Sequence, residues 1–199
     1  MASVNAVSAW PDRIRLPFAF DPAQLAEEAA ALGADAWTAH FVPQNYEGEW
    51  SALPLRARAG ATHPVMMIYS DPGATDFVDT PLLARAPRLA AAIAAFRCPV
   101  HAARLMRLAP GSTIKEHRDH DLDAALGRAR IHVPIATNSD VEFLLNGTRV
   151  EMAAGEAWYL RLADPHAVFN RSESARIHLV IDVMVDDWLA GRLVEGLGA

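Results

Sequence analysis

The sequence predicts a mainly β fold of the α+β class, a β-sandwich or jelly roll buttressed by N-terminal helices. Three observations predict it. Helical patterns crowd the first half of the chain, six or so closely spaced strand patterns follow from about residue 100, and an Asn146-Gly147 dipeptide joins two of those strands. With 199 residues, 52% of them apolar, one domain spanning 1–199 with its jelly-roll core at about 100–185 is expected.

Taken in order, Asp21 caps a helix that has Pro22 in its first turn, runs through Leu25, Ala29 and Leu32, and stops at Gly33. Segments Trp50–Ala57 and Val65–Tyr69 read as short strands. Thr80-Pro81 reads as a second helix start, and Leu89, Ile93 and Phe96 form a helical stripe that Pro87 breaks or offsets. From His101 the period changes to two: Ala103, Leu105 and Arg107 alternate with Arg104, Met106 and Leu108, and Pro110-Gly111 then turns the chain. Arg130–Thr137 follows as a strand. Val141–Leu145 joins Thr148–Met152 through Asn146-Gly147, a pair that tolerates the positive φ of a tight hairpin. Ala157–Leu160 and Ala175–Val185 are further strands, and Asp186 caps a last helix, Asp187–Leu197.

Two of these strands echo one another. Arg130-Ile131-His132-Val133 and Arg176-Ile177-His178-Leu179 each put Arg and His on one face and aliphatic residues on the other. A face carrying Arg176, His178, Val180 and Asp182 can line a polar cavity inside a double-stranded β-helix.

Composition narrows the chemistry. Acidic residues outnumber basic ones 24 to 18, a net charge of −6, which argues against nucleic acid or an anionic membrane as partner. Cys98 is the sole cysteine, so disulfide frameworks, thiolate zinc sites and iron–sulfur clusters are excluded. The longest nearly apolar stretch, around Leu89–Phe96, is far shorter than the roughly 20 residues of a membrane span. No basic region leads into an apolar segment at the N-terminus, and a soluble cytoplasmic protein is expected.

The sharpest motif is His117-Arg118-Asp119. In an extended segment, residues i and i+2 project the same way, so imidazole and carboxylate can meet one cation. A histidine from another strand completes a facial triad with open positions, the arrangement of non-haem Fe(II) oxygenases. His166, which follows Pro165 past the hairpin, is the candidate. Arg176, on the next strand, supplies a permanent charge and a bidentate fork for the 5-carboxylate of 2-oxoglutarate. The alternative for Arg176 is a surface arginine paired with Asp182 or Glu173. His120 is expected to point away from the ligands, Asp121 ranks below Asp119, and His132 and His178 are expected to hydrogen-bond neighbours or cosubstrate. His40, His63 and His101 show no constellation, and Met66-Met67 and the tryptophans read as core.

In combination the motifs resemble the aspartyl/asparaginyl β-hydroxylase family of Fe(II)- and 2-oxoglutarate-dependent oxygenases. The carriers are Tyr46-Glu47-Gly48-Glu49-Trp50 with Leu55-Arg56, Arg104 to Leu108 leading into His117-Arg118-Asp119, Arg130-Ile131-His132, Gly155-Glu156-Ala157-Trp158, Pro165-His166, and Arg176 to Asp182. The resemblance implies a double-stranded β-helix, cupin-like, with Fe(II), 2-oxoglutarate and O2 as the reacting set. It implies His117, Asp119 and His166 as metal ligands and catalytic centre, and Arg176, Arg130, His132 and Trp50 on the cosubstrate. Asp119 stands where the animal enzymes have glycine, so the chain resembles the bacterial branch that includes proline cis-4-hydroxylases. It ends soon after Trp188, without their helical extension, which argues against carrying over free proline. Arg56, Arg58 and Arg118 are candidates for a substrate carboxylate, with solvated surface charge as the alternative; the expected substrate is a small amino-acid-like molecule or a peptide residue. Two other functions fit the same residues: a cupin-type metal enzyme without 2-oxoglutarate, and a non-catalytic sensor of 2-oxoglutarate or metal.

Overall fold

The computed structural model describes residues 10–71 and 73–198. The expectation of no leader segment rests on residues that fall partly outside them.

Thirteen strands and four α-helices form among the described residues. In chain order they are β1 (Arg13–Ala19), α1 (Pro22–Ala31), β2 (Thr38–Ala39), β3 (Tyr46–Glu47), β4 (Trp50–Arg58), α2 (Pro64–Ile68), β5 (Phe77–Asp79) and α3 (Pro87–Ala94). After these come β6 (Val100–Leu108), β7 (Thr113–His117), β8 (Arg128–Ala136), β9 (Val141–Leu145), β10 (Thr148–Arg149), β11 (Glu156–Leu160), β12 (His166–Asn170), β13 (Arg176–Met184) and α4 (Asp187–Gly196). They build two antiparallel sheets, β1-β11-β8-β13-β6-β4-β2 with β5 beside β4, and β10-β9-β12-β7-β3. This is the expected double-stranded β-helix.

Period-two alternation sorts the side chains into two cores. Leu105, Ile131, Val133, Leu179 and Ile181 leave the large sheet on the side where α1, α3 and α4 pack. Met106, Leu108, Val180, Phe143, Leu145 and Val168 fill the space between the sheets. The same alternation turns Arg130, His132, Arg176 and Asp182 inward, so a polar floor lies beneath an apolar inter-sheet core.

Several local expectations need correction. Val65–Tyr69 is not a strand, because His63 caps a helix there, its Nδ1 accepting from the Val65 N–H at 3.3 Å with Pro64 at the first turn. Pro87 opens α3 instead of breaking it, since its missing N–H lies where no helical partner exists; the Glu28 carboxylate of α1 accepts the next two N–H groups, from Arg88 and Leu89, at 2.9 Å. Thr80 starts no α-helix, as its hydroxyl donates to the Pro54 carbonyl. The strand expected to reach Met152 ends at Arg149. The sheets also begin well before residue 100: β1 pairs with β11, and β4 lies between β6 and β2. No described helix is long and apolar enough to cross a membrane.

Candidate active site

His166 and His117 are direct partners across the β12–β7 pair, which sets their rings 4.2 Å apart. Asp119 lies just past the end of β7, where its N–H donates to the Leu162 carbonyl at 2.8 Å and its carbonyl accepts from Leu122. That pinned turn, not a continuing strand, carries the carboxylate back toward the histidines. One ligand atom from each residue then lies within 4.8 Å of the other two.

Hydrogen bonds decide which atoms are free. His117 Nδ1 is 2.8 Å from the Lys115 carbonyl and His166 Nδ1 is 3.0 Å from the Asp164 carbonyl. A carbonyl only accepts, so both Nδ1 atoms carry the proton and both Nε2 atoms keep a lone pair. Arg130 Nη1 donates to Asp119 Oδ2 at 2.8 Å, while Oδ1 faces His117 Nε2 at 4.0 Å. Two imidazole Nε2 atoms and one carboxylate oxygen are a donor set suited to Fe(II), with room for further ligands on the cavity side. Burial pushes His166 down to about 4, so its ring is neutral at pH 7.

The three face a cavity of about 380 Å³ between the sheets. Arg176 lies in its lining and is only 2% exposed. No carboxylate among the described residues pairs with it, and its Nε is buried without a partner. Burial lowers its guanidinium to about 9, which still leaves it charged at neutral pH. The alternative pairing with Asp182 or Glu173 does not occur. Arg176 Nη2 instead donates to His178 Nδ1 at 2.8 Å. His132 Nδ1, 3.3 Å from that same acceptor, must then hold its own proton, which leaves His132 Nε2 a buried acceptor with no partner.

Asp182 anchors a cluster that sequence reasoning left unassigned. It accepts from Arg104 at 2.7 Å, from Arg130 at 2.6 Å and from the Ser70 hydroxyl at 2.6 Å. Burial alone would raise its carboxyl, but Arg104 and Arg130 outweigh it and hold it far below the usual carboxylate range. Its signal was present in the sequence, as an aspartate on the inward face of β13 alongside Arg176 and His178. Arg130 lines the cavity and is hydrogen-bonded to both Asp119 and Asp182.

Trp50 forms an aromatic wall. Its ring stacks on His40 at 3.5 Å, His40 stacks on Phe41 at 4.7 Å, and Trp50 stands 6.5 Å from His117. Its indole Nε1 is buried without a partner. His40, which showed no constellation in sequence, therefore lines the cavity; burial, with Arg104 and Arg130 nearby, lowers it to about 3 and keeps it neutral. Arg118, His120 and Asp121 are exposed at the rim, with Arg118 donating to the Ala163 carbonyl. Arg56 and Arg58 do not line this cavity, contrary to expectation. Arg56 is spent on Asp79 and the Val100 and Phe77 carbonyls, and Arg58 on Asp71, at the end of β4 about 20 Å from Trp50.

The profile of the aspartyl/asparaginyl β-hydroxylase family matches residues 21–185. An L-proline cis-4-hydroxylase from Rhizobium meliloti (strain 1021) is 29% identical over 166 residues, covering 82% of this chain and 57% of that protein. The chain therefore spans little more than half the length of that relative. A solved oxidoreductase of the 2OG-Fe(II) oxygenase family from Burkholderia pseudomallei aligns with a TM-score of 0.50 and 17% identity, over 86% of this chain and 85% of the other. At that identity the likeness is one of fold.

Proposed function

The chain belongs to the aspartyl/asparaginyl β-hydroxylase family, and from that premise we propose that it is an Fe(II)- and 2-oxoglutarate-dependent dioxygenase. It hydroxylates an unactivated C–H bond of a small amino-acid-like molecule or a peptide residue. One observation carries the reading: His117, Asp119 and His166 converge in the same cavity as a buried arginine that has no anion of its own.

Bound together, Fe(II), 2-oxoglutarate and O2 would supply oxidative decarboxylation of 2-oxoglutarate to succinate and CO2, coupled to insertion of one oxygen atom into a C–H bond. The protein supplies placement and charge. His117 and His166 present Nε2 because backbone carbonyls hold their Nδ1 protons, and Asp119 presents Oδ1 because Arg130 holds Oδ2. Arg176 takes the remote carboxylate of the cosubstrate, which satisfies a charge that the folded chain leaves unmatched. Trp50 and His40 form a flat apolar wall against the substrate. Arg104, with Nη1 buried and unpartnered, offers a donor to a substrate carboxylate or carbonyl, and Arg118 adds positive charge at the rim. Those two arginines favour an anionic or amide-bearing substrate.

Mixing the protein with Fe(II) and 2-oxoglutarate without oxygen should produce a weak visible charge-transfer band. Admitting O2 should then yield succinate, faster in the presence of a true substrate found by screening amino acids and peptides. A band without succinate under any substrate would leave a sensor, and turnover without 2-oxoglutarate would indicate a cupin-type enzyme.

A further inference from the structure

A second cavity, of about 310 Å³, is walled by the β8–β9 connection and the stretch after β10. Arg176 and Phe143 line both cavities, His132 lines only the metal-side one, and His178 only the second. The two spaces are therefore parted by a guanidinium, a phenyl ring and a pair of hydrogen-bonded imidazoles. The second has one cation without a carboxylate partner in its lining, Arg176. Because His178 Nδ1 accepts from Arg176, the proton of that ring sits on Nε2, the edge left for the cavity. Thr137 and Ser139 add hydroxyls. Its single lining carboxylate, Glu151, is 3.0 Å from Arg149 and so already matched.

Resting on the dioxygenase reading, we infer that the second cavity is a separate entrance for small dicarboxylates, through which 2-oxoglutarate arrives and succinate leaves by way of Arg176. From the metal-side mouth, an incoming diacid has to cross the space between the aromatic wall and the metal residues that an organic substrate must occupy. A substrate held there closes that way to anything lying against Arg176. From the second cavity a diacid meets Arg176 first and passes no unmatched carboxylate on the way. Cosubstrate and product exchange are thereby separated from substrate exchange.

A removable cap tests this. Ala154 and Ser139 are both exposed on the rim of the second cavity, so Ala154→Cys and Ser139→Cys alter no packed core. Cys98, the only native cysteine, is buried with its thiol pushed up to about 11, so a thiol reagent bearing a bulky aromatic group through a disulfide labels the introduced site. Fe(II)-loaded protein is mixed anaerobically with 2-oxoglutarate, association is followed by the visible band, and dissociation by rapid dilution. The cap should slow association and dissociation alike, on the order of tenfold, with Kd unchanged, and a reductant should restore both. The same cap at Tyr69→Cys, on the metal-side mouth, should leave the diacid rates as they were. Unaltered rates with the second cavity capped, a changed Kd at unchanged association rate, or slowing by the Tyr69 cap alone would each overturn the inference. Absence of any band in the uncapped protein would instead remove the dioxygenase reading beneath it.

Discussion

Arg176 and Asp182 show two opposite solutions for charge inside one barrel. Asp182 is surrounded by Arg104, Arg130 and the Ser70 hydroxyl, and its neutralisation is internal to the fold. Asp182→Asn would leave two buried guanidiniums without their shared anion, and urea unfolding should show a loss of about 3–5 kcal/mol. Arg176 has no such partner, so the folded protein bears the cost of its burial unless a ligand supplies the anion. Arg176→Met should therefore raise the unfolding free energy of the ligand-free protein by about 1 kcal/mol or more. The same change should weaken 2-oxoglutarate at least about a hundredfold with metal affinity intact, as read by calorimetry. A drop in ligand-free stability would mean that Arg176 is a structural residue. Arg176 lines the metal-side cavity, whereas Arg56 and Arg58, equally plausible by type, do not. Both lie outside it and are paired with Asp79 and Asp71.

At the scale of elements, what could be read were the signals that act within a few residues. Asp21 accepts from Ala23 and Gln24 at the start of α1, and Asp186 caps α4 through the Leu189 N–H. Asn146 and Gly147 turn the β9–β10 hairpin with φ of 52° and 71°. What misled were residues whose partner is distant: Pro87 reads as a breaker until Glu28 of α1 is seen to cap the helix that it opens. Gly155 is a case that local reading passes over. Its φ is +85°, and a Cβ there would run into the Phe20 carbonyl oxygen, at the place where the Phe20 N–H donates to the Gly155 carbonyl at 2.8 Å. Gly155→Ala should cost about 1–3 kcal/mol in backbone strain alone. The loss should appear in hydrogen exchange first at β1 and β11, and equal protection throughout would contradict this.

For the molecule as a whole, the polar floor makes stability depend on pH and on metal. Burial, reinforced by Arg176, holds both His132 and His178 well below their ordinary value of 6.5. Below about pH 6.5 the unfolded chain therefore takes up protons that the folded chain refuses. Unfolding free energy should be level above that pH and fall beneath it by up to about 1.4 kcal/mol per unit for each histidine, a slope that urea titrations from pH 7.5 to 5.5 would measure. A divalent ion at about a hundred times its Kd should add about 2.7 kcal/mol, and none in His166→Ala. The amino-acid sequence by itself determined the alternating faces of β8 and β13, the hairpin, and which residue types carry metal and carboxylate chemistry, because strand period and side-chain chemistry are local properties. The tertiary structure alone decided that Nε2 of each histidine and Oδ1 of Asp119 are the free atoms, that Arg130 serves Asp119 and Asp182, and that one arginine looks into two cavities. Those outcomes depend on carbonyls, guanidiniums and walls contributed by strands far apart in the chain, and no local pattern encodes which of them will meet.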